Sequence, residues 1–103
     1  MTRRVAFSPE AQTDLRQLYL YIAERSGAAR AIGYVERIEA SCLGLGDFPE
    51  RGARRDDLWP GLRVTGFERR ASIAFLVADD AVTILRILYG GRDLEAAFAD
   101  DEA

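Results

Sequence analysis

Histidine and lysine are both absent from this 103-residue chain, and it holds a single cysteine, Cys42. Without histidine, the chain lacks the commonest zinc ligand and the commonest general base near neutral pH. One cysteine excludes an internal disulfide framework and any cysteine-cluster metal site. No apolar run approaches the roughly 20 residues of a membrane-spanning helix, and the opening Met1-Thr2-Arg3-Arg4-Val5 leads into no apolar signal-peptide core. The expectation is a soluble, cytoplasmic protein with no metal, no cofactor and no membrane contact.

What is there is ordinary for a globular chain: 49% hydrophobic and 30% charged residues. The length suits one domain, 1–103, which can bury roughly two-thirds of its unfolded surface. All 14 cationic side chains are arginine, so every cation is a planar, permanently charged fork suited to carboxylate or phosphate. Against 17 acids the net charge is −3, which argues against nonspecific nucleic-acid binding by the whole molecule. The distribution is uneven. Residues 51–70 hold six arginines against three acids, while Asp100-Asp101-Glu102 concentrates three negative charges in an expected frayed tail at 99–103.

Arg3 to Phe7 reads as a short opening strand. Ser8-Pro9-Glu10 is a helix start, with Ser8 as N-cap, proline in the first turn and an acid beside the helix dipole. Ala11, Leu15, Leu18 and Ile22 make a helical stripe, widened by Tyr19, and Ser26-Gly27 ends it, with Gly27 able to take a left-handed cap. A second stripe, Ala31, Val35, Ile38, Cys42 and Leu45, follows at once, so the two helices must form an antiparallel hairpin. Residues 47–61 show no periodicity, and Phe48, Leu58 and Trp59 argue for a loop pinned to the core. Period-two segments then run over 62–67, 70–78 and 81–89, the last two joined by Asp79-Asp80. Gly90-Gly91 ends the last strand and 93–98 suits one short helical turn. The class is α+β in the order β-α-α-β-β-β. The N-terminal strand joins the sheet edge and the helical hairpin packs on one face of a small antiparallel sheet, leaving the other face partly open.

Few residues on this chain suit chemistry. Cys42 lies on an apolar stripe with no histidine to deprotonate it, so it reads as a buried structural thiol. Asp56-Asp57 and Asp79-Asp80 read as loop and turn residues rather than metal ligands. Arg54-Arg55 beside Asp56-Asp57 suits mutual neutralisation. Arg86 interrupts the apolar run Ile84 to Leu88, so it is either paired to a carboxylate or exposed for a partner. Strict alternation puts it on one face with Ile84 and Leu88, opposite Tyr89. The open-face reading is the favoured one.

Four segments together resemble the ParE/RelE toxin superfamily of bacterial type II toxin–antitoxin systems, and its ParE branch most. They are Phe-Ser-Pro-Glu-Ala-Gln-Thr-Asp-Leu at 7–15, Phe-Pro-Glu-Arg-Gly at 48–52, Pro-Gly-Leu-Arg at 60–63 and Ile-Leu-Arg-Ile-Leu-Tyr-Gly-Gly-Arg-Asp at 84–93. The resemblance implies a growth-inhibiting toxin, in hetero-oligomeric complex with a ParD-like antitoxin whose disordered C-terminal tail wraps around it. ParE-type members are held to poison DNA gyrase; RelE-type members cleave mRNA on the ribosome. The RelE-type alternative would rest here on Arg63, Arg86 and Tyr89, with tyrosine where histidine often stands and no lysine at all. A third possibility is a degenerate toxin that only binds its antitoxin. The residues expected to meet a partner are Arg63, Phe67, Arg69, Arg70, Arg86, Tyr89 and Arg92.

Overall fold

A computed structural model describes residues 2–99; the expected acidic tail therefore lies, but for Ala99, outside the described residues. The elements are β1 (Arg4–Phe7), α1 (Pro9–Ser26), α2 (Ala28–Gly44), β2 (Ala53–Arg54), β3 (Arg63–Phe67), β4 (Ala71–Val77), β5 (Ala81–Tyr89) and α3 (Leu94–Ala99). They build one five-stranded sheet in the order β1-β5-β4-β3-β2. The sheet is mixed rather than wholly antiparallel, because β1 runs parallel to β5 at the edge.

Local chemistry sets the start of α1. Ser8 is extended, its hydroxyl accepts the Ala11 N–H at 3.0 Å, and Pro9 opens the helix without losing a needed donor. Gly27 alone separates α1 from α2. Its φ of 93° and ψ of 158° lie outside the left-handed helical cap, in an extended region that only glycine adopts without strain.

The core lies between the hairpin and one face of the sheet. Ala11, Leu15, Leu18, Ile38, Cys42 and Leu45 meet Ile73, Phe75, Val82, Ile84 and Ile87. Tyr34 is buried where the stripe put Val35, which is half-buried. Both positions fit the helical period, and Phe67 and Tyr89 provide aromatic neighbours for Tyr34. On the other face Leu62, Ala74 and Leu88 are also buried, and Trp59, Ala97 and Phe98 border a small cavity with Leu85. That face is thus less open than alternation implied.

The 47–61 segment differs from a featureless loop. Within it β2 pairs with β3, Arg55 N–H reaches the Leu62 carbonyl at 2.8 Å, and the Asp56 carboxylate accepts the Gly61 N–H at 2.8 Å. Phe48 and Trp59 do not anchor it: they are 60% and 39% exposed. Main-chain bonds, rather than aromatic burial, hold the segment.

A β-bulge changes the fate of Arg86. Ala74 pairs with Arg86 but Phe75 pairs with Ile84, so Leu85 has no partner and the alternation of β5 resets. Ile84 and Ile87 both enter the core, and Arg86 turns along the strand edge to Asp14, with bonds of 2.8 and 3.0 Å. The paired-carboxylate alternative therefore replaces the expected open face shared with Ile84 and Leu88.

Candidate functional site

An open cleft of about 660 Å³ lies where the end of the helical hairpin meets the β3–β4 turn and the end of β5. Helical spacing delivers its side chains. Tyr21 and Arg25 stand four apart on α1, and Arg30, Tyr34 and Arg37 follow the i, i+4, i+7 pattern on α2. Glu68 and Arg70 come from the turn, and Tyr89 from β5. Four arginines thus face one acid.

The aromatic floor is continuous. Tyr21 meets Tyr89 at 5.8 Å, Tyr89 meets Tyr34 at 5.6 Å, and Tyr34 meets Phe67 at 5.5 Å, each edge to face. Arg25 lies over the Tyr21 ring at 3.8 Å and donates to the Tyr21 carbonyl, a favourable place for a cation at a helix C-terminus. Arg37 forks onto Glu68 at 2.9 and 3.1 Å; this holds the Glu68 carboxyl below its usual range and raises the guanidinium pKa.

The turn that carries Glu68 is itself unusual. Glu68 and Arg69 have φ of 50° and 61°, and Arg70 N–H bonds to the Phe67 carbonyl at 3.0 Å. Three residues, Glu68 to Arg70, thus link the terminal Phe67–Ala71 pair, and neither of the two left-handed ones is glycine or asparagine. The Arg37 fork helps to hold this conformation.

Tyr34 is 7% exposed, and burial pushes its phenol up to about 12, with Tyr89 and Glu68 adding to the shift. It is a neutral donor at pH 7. Its hydroxyl is buried without a hydrogen-bond partner among the described residues. The side chains of Arg30 and Arg70 likewise make no hydrogen bond or ion pair among the described residues.

The residues singled out from sequence are dispersed. Arg70 and Tyr89 line the cleft, Phe67 backs it, and Arg69 is exposed on the adjoining turn. Arg92 lies beyond the Tyr21–Tyr89 ridge in a second groove of about 380 Å³, and both Arg92 and Arg86 border a third with Thr13. Arg63 sits apart, on the same face as Phe75, and donates to the Glu50 and Arg51 carbonyls at 2.8 and 3.2 Å. Arg54 and Arg55 fork onto Asp56 and Asp57, so the charge of the 51–57 segment is largely neutralised in place. Arg25, Arg30, Arg37, Tyr21 and Tyr34 escaped the sequence reading; the signal was their own helical spacing, on flanks of helices read only for their apolar stripes. Cys42 is fully buried, and desolvation pushes its thiol up to about 12, as suits a structural residue.

Residues 5–94 match the family described as ParE toxin of the type II toxin–antitoxin system parDE. The chain is 34% identical over 93 residues to toxin ParE3 of Caulobacter vibrioides, covering 90% of this chain and 92% of that one. It superposes with a TM-score of 0.75 on a chain of the chromosomal ParDE system from P. aeruginosa, at 27% identity, covering 86% of this chain and 97% of the other. A chain of the Mycobacterium tuberculosis toxin–antitoxin complex RelBE2 shares the fold, with a TM-score of 0.62 at 19% identity, covering 86% and 99% of the two chains.

Proposed function

The chain belongs to the ParE family of toxins from type II toxin–antitoxin systems, and from that premise we propose that it arrests growth by binding, with DNA gyrase as its target and a cognate antitoxin as its neutralising partner. The observation that carries the binding reading is the dispersal of the groups a RelE-type ribonuclease would need. Arg63 holds loop carbonyls, Arg86 is engaged by Asp14, and Tyr89 is stacked between Tyr21 and Tyr34. General-base catalysis wants a proton acceptor poised near neutral pH. With no histidine, and with the Tyr34 phenol shifted upward, no side chain of the cleft meets that need.

The antitoxin partner is supported by the relatives, two of which belong to toxin–antitoxin systems solved as ParDE and RelBE2. The Tyr21–Tyr89 ridge with Arg92 beside it offers an apolar strip and a cation to an amphipathic acidic tail, which would order as it binds.

The test is induced expression without antitoxin, combined with a supercoiling assay on purified gyrase. The expected result is trapped DNA cleavage and loss of supercoiling, with mRNA ends unchanged. Abundant codon-positioned mRNA cleavage with intact supercoiling would transfer the assignment to the ribonuclease class.

A further inference from the structure

Three features of the cleft leave donors unanswered. The first is the Tyr34 hydroxyl, buried and unpartnered. Tyr34 itself lines the cleft and packs edge to face against Tyr89 of the same lining, so its ring belongs to the floor and its hydroxyl lies just beneath that surface. The second is the pair Arg30 and Arg70, both exposed and both without an acceptor among the described residues. The third is the N-terminus of α2. Its cap is Gly27, which supplies no side-chain bond, the first turn holds no acid, and Ala29 and Arg30 of that turn line the same cleft. The positive end of a 17-residue helix, whose first N–H groups have no intrahelical acceptor, therefore borders the same space as the arginines.

From this convergence we propose that the cleft binds a condensed phosphate chain of two or three phosphates, carried free or on a nucleoside. A chain fits better than a single phosphate because the donors are spread: Ala29 to Tyr34 covers about 7.5 Å of helix rise. Charge density favours phosphate over the carboxylates of a peptide. Four guanidiniums face Glu68, and Arg25 also pairs with Glu24 at 3.8 Å, so Arg30 and Arg70 leave a net positive charge in one concave space, which a compact polyanion answers and a single carboxylate does not. A long nucleic acid is disfavoured, since the chain as a whole carries −3 and these arginines face into a cleft rather than along a stripe. The cleft volume lies within the range of small-ligand sites. Binding would bring the buried phenol an acceptor and would compete with Glu68 for Arg37. The inference does not depend on which cellular target the toxin has.

The experiment uses the full chain, with melting and calorimetric titration against inorganic triphosphate, ATP, adenosine and a glutamate-rich peptide. Triphosphate and ATP are expected to bind saturably and raise the melting temperature, and adenosine to do neither. Equal affinity for triphosphate and ATP would assign the free chain as the ligand; tighter ATP would assign the nucleotide. Tyr34→Phe keeps the ring and removes the donor. Its unliganded form is expected to melt at or above the wild-type temperature while triphosphate affinity falls about tenfold. Arg30→Ala with Arg70→Ala, at two exposed positions, is expected to abolish triphosphate binding in a folded protein. Absence of saturable triphosphate binding overturns the proposal, as does unchanged affinity in the double variant. Tighter binding of the peptide than of triphosphate overturns it too.

Discussion

Asp14 is a carboxylate almost wholly out of water, with its side chain 4% exposed, and its bonds explain how the fold tolerates it. Both oxygens receive the Arg86 fork, and one also accepts the Ile87 N–H at 2.8 Å. The carboxylate thus answers a donor on the stretch of β5 that runs beyond β1, while Ser8 covers the same edge through bonds to the Ile84 and Leu85 carbonyls. Asp14 of the first helix and Ser8, the residue that caps it, stand in for a missing strand. Arg86→Met is therefore expected to strand a buried charge and cost about 3–5 kcal/mol, measured by urea unfolding. That is a large share of the 5–15 kcal/mol typical of a domain. Adding Asp14→Asn should recover part of the loss, because the amide oxygen still accepts from Ile87; a double variant no more stable than the single would sink this account. Two other buried groups govern alkaline behaviour. The Tyr34 phenol and the Cys42 thiol are both pushed up to about 12 by burial, from ordinary values of 10.0 and 9.0. The unfolded chain releases these protons first, so their contribution is intact below about pH 9 and lost as pH rises toward 12. Melting temperature should fall across that window, and Tyr34→Phe should flatten the part above pH 10.

At the scale of elements, the two hairpin turns of the sheet show opposite solutions. Asp79-Asp80 joins β4 to β5 as composition leads one to expect. Glu68-Arg69-Arg70 joins β3 to β4, and its first two residues are left-handed without being glycine, at a cost of about 1–2 kcal/mol per residue. Arg69→Gly should stabilise the fold by about 1 kcal/mol in thermal or chemical unfolding, and no gain would mean that the turn is not strained at this position. Gly52 is the converse case. Its φ is +76°, and a Cβ there would run into the Val64 carbonyl of β3. Gly52→Ala should therefore destabilise by more than about 1 kcal/mol and loosen β2, seen as faster amide exchange in the 53–55 segment. The elements themselves were legible because periodicity is a local signal: both helices and the three long strands stand within a residue or two of their apolar patterns. What escaped was non-local. The two-residue β2 is defined by its pairing with β3, and the bulge at Leu85 lies beside the edge of β5 to which α1 supplies Asp14.

Taken as a whole, the molecule places its positive charge where sequence position gives little hint of it. The densest arginine segment, 51–57, is spent on its own aspartates, and the cleft instead draws single arginines from the end of α1, the start and middle of α2 and the β3–β4 turn. Such a site is assembled by tertiary packing, so Arg70 and Tyr89 were visible from sequence only as separate residues. The arrangement bears on the association proposed above with an antitoxin tail. Long-range steering is weak for a chain of net charge −3, and screening at physiological salt extends only about 8 Å, so attraction acts within the cleft and along the Tyr21–Tyr89 ridge. Local attraction sets dissociation more than encounter. A partner that binds only the folded toxin must raise its stability by mass action, by about 4 kcal/mol at a thousandfold excess over Kd. The toxin with its antitoxin tail should therefore melt well above the free chain and in proportion to the logarithm of tail concentration. Tyr89→Ala, which removes the ring shared by the ridge and the cleft, should raise the dissociation rate more than it lowers the association rate. A melting temperature unmoved by the tail would show that it does not grip the folded toxin.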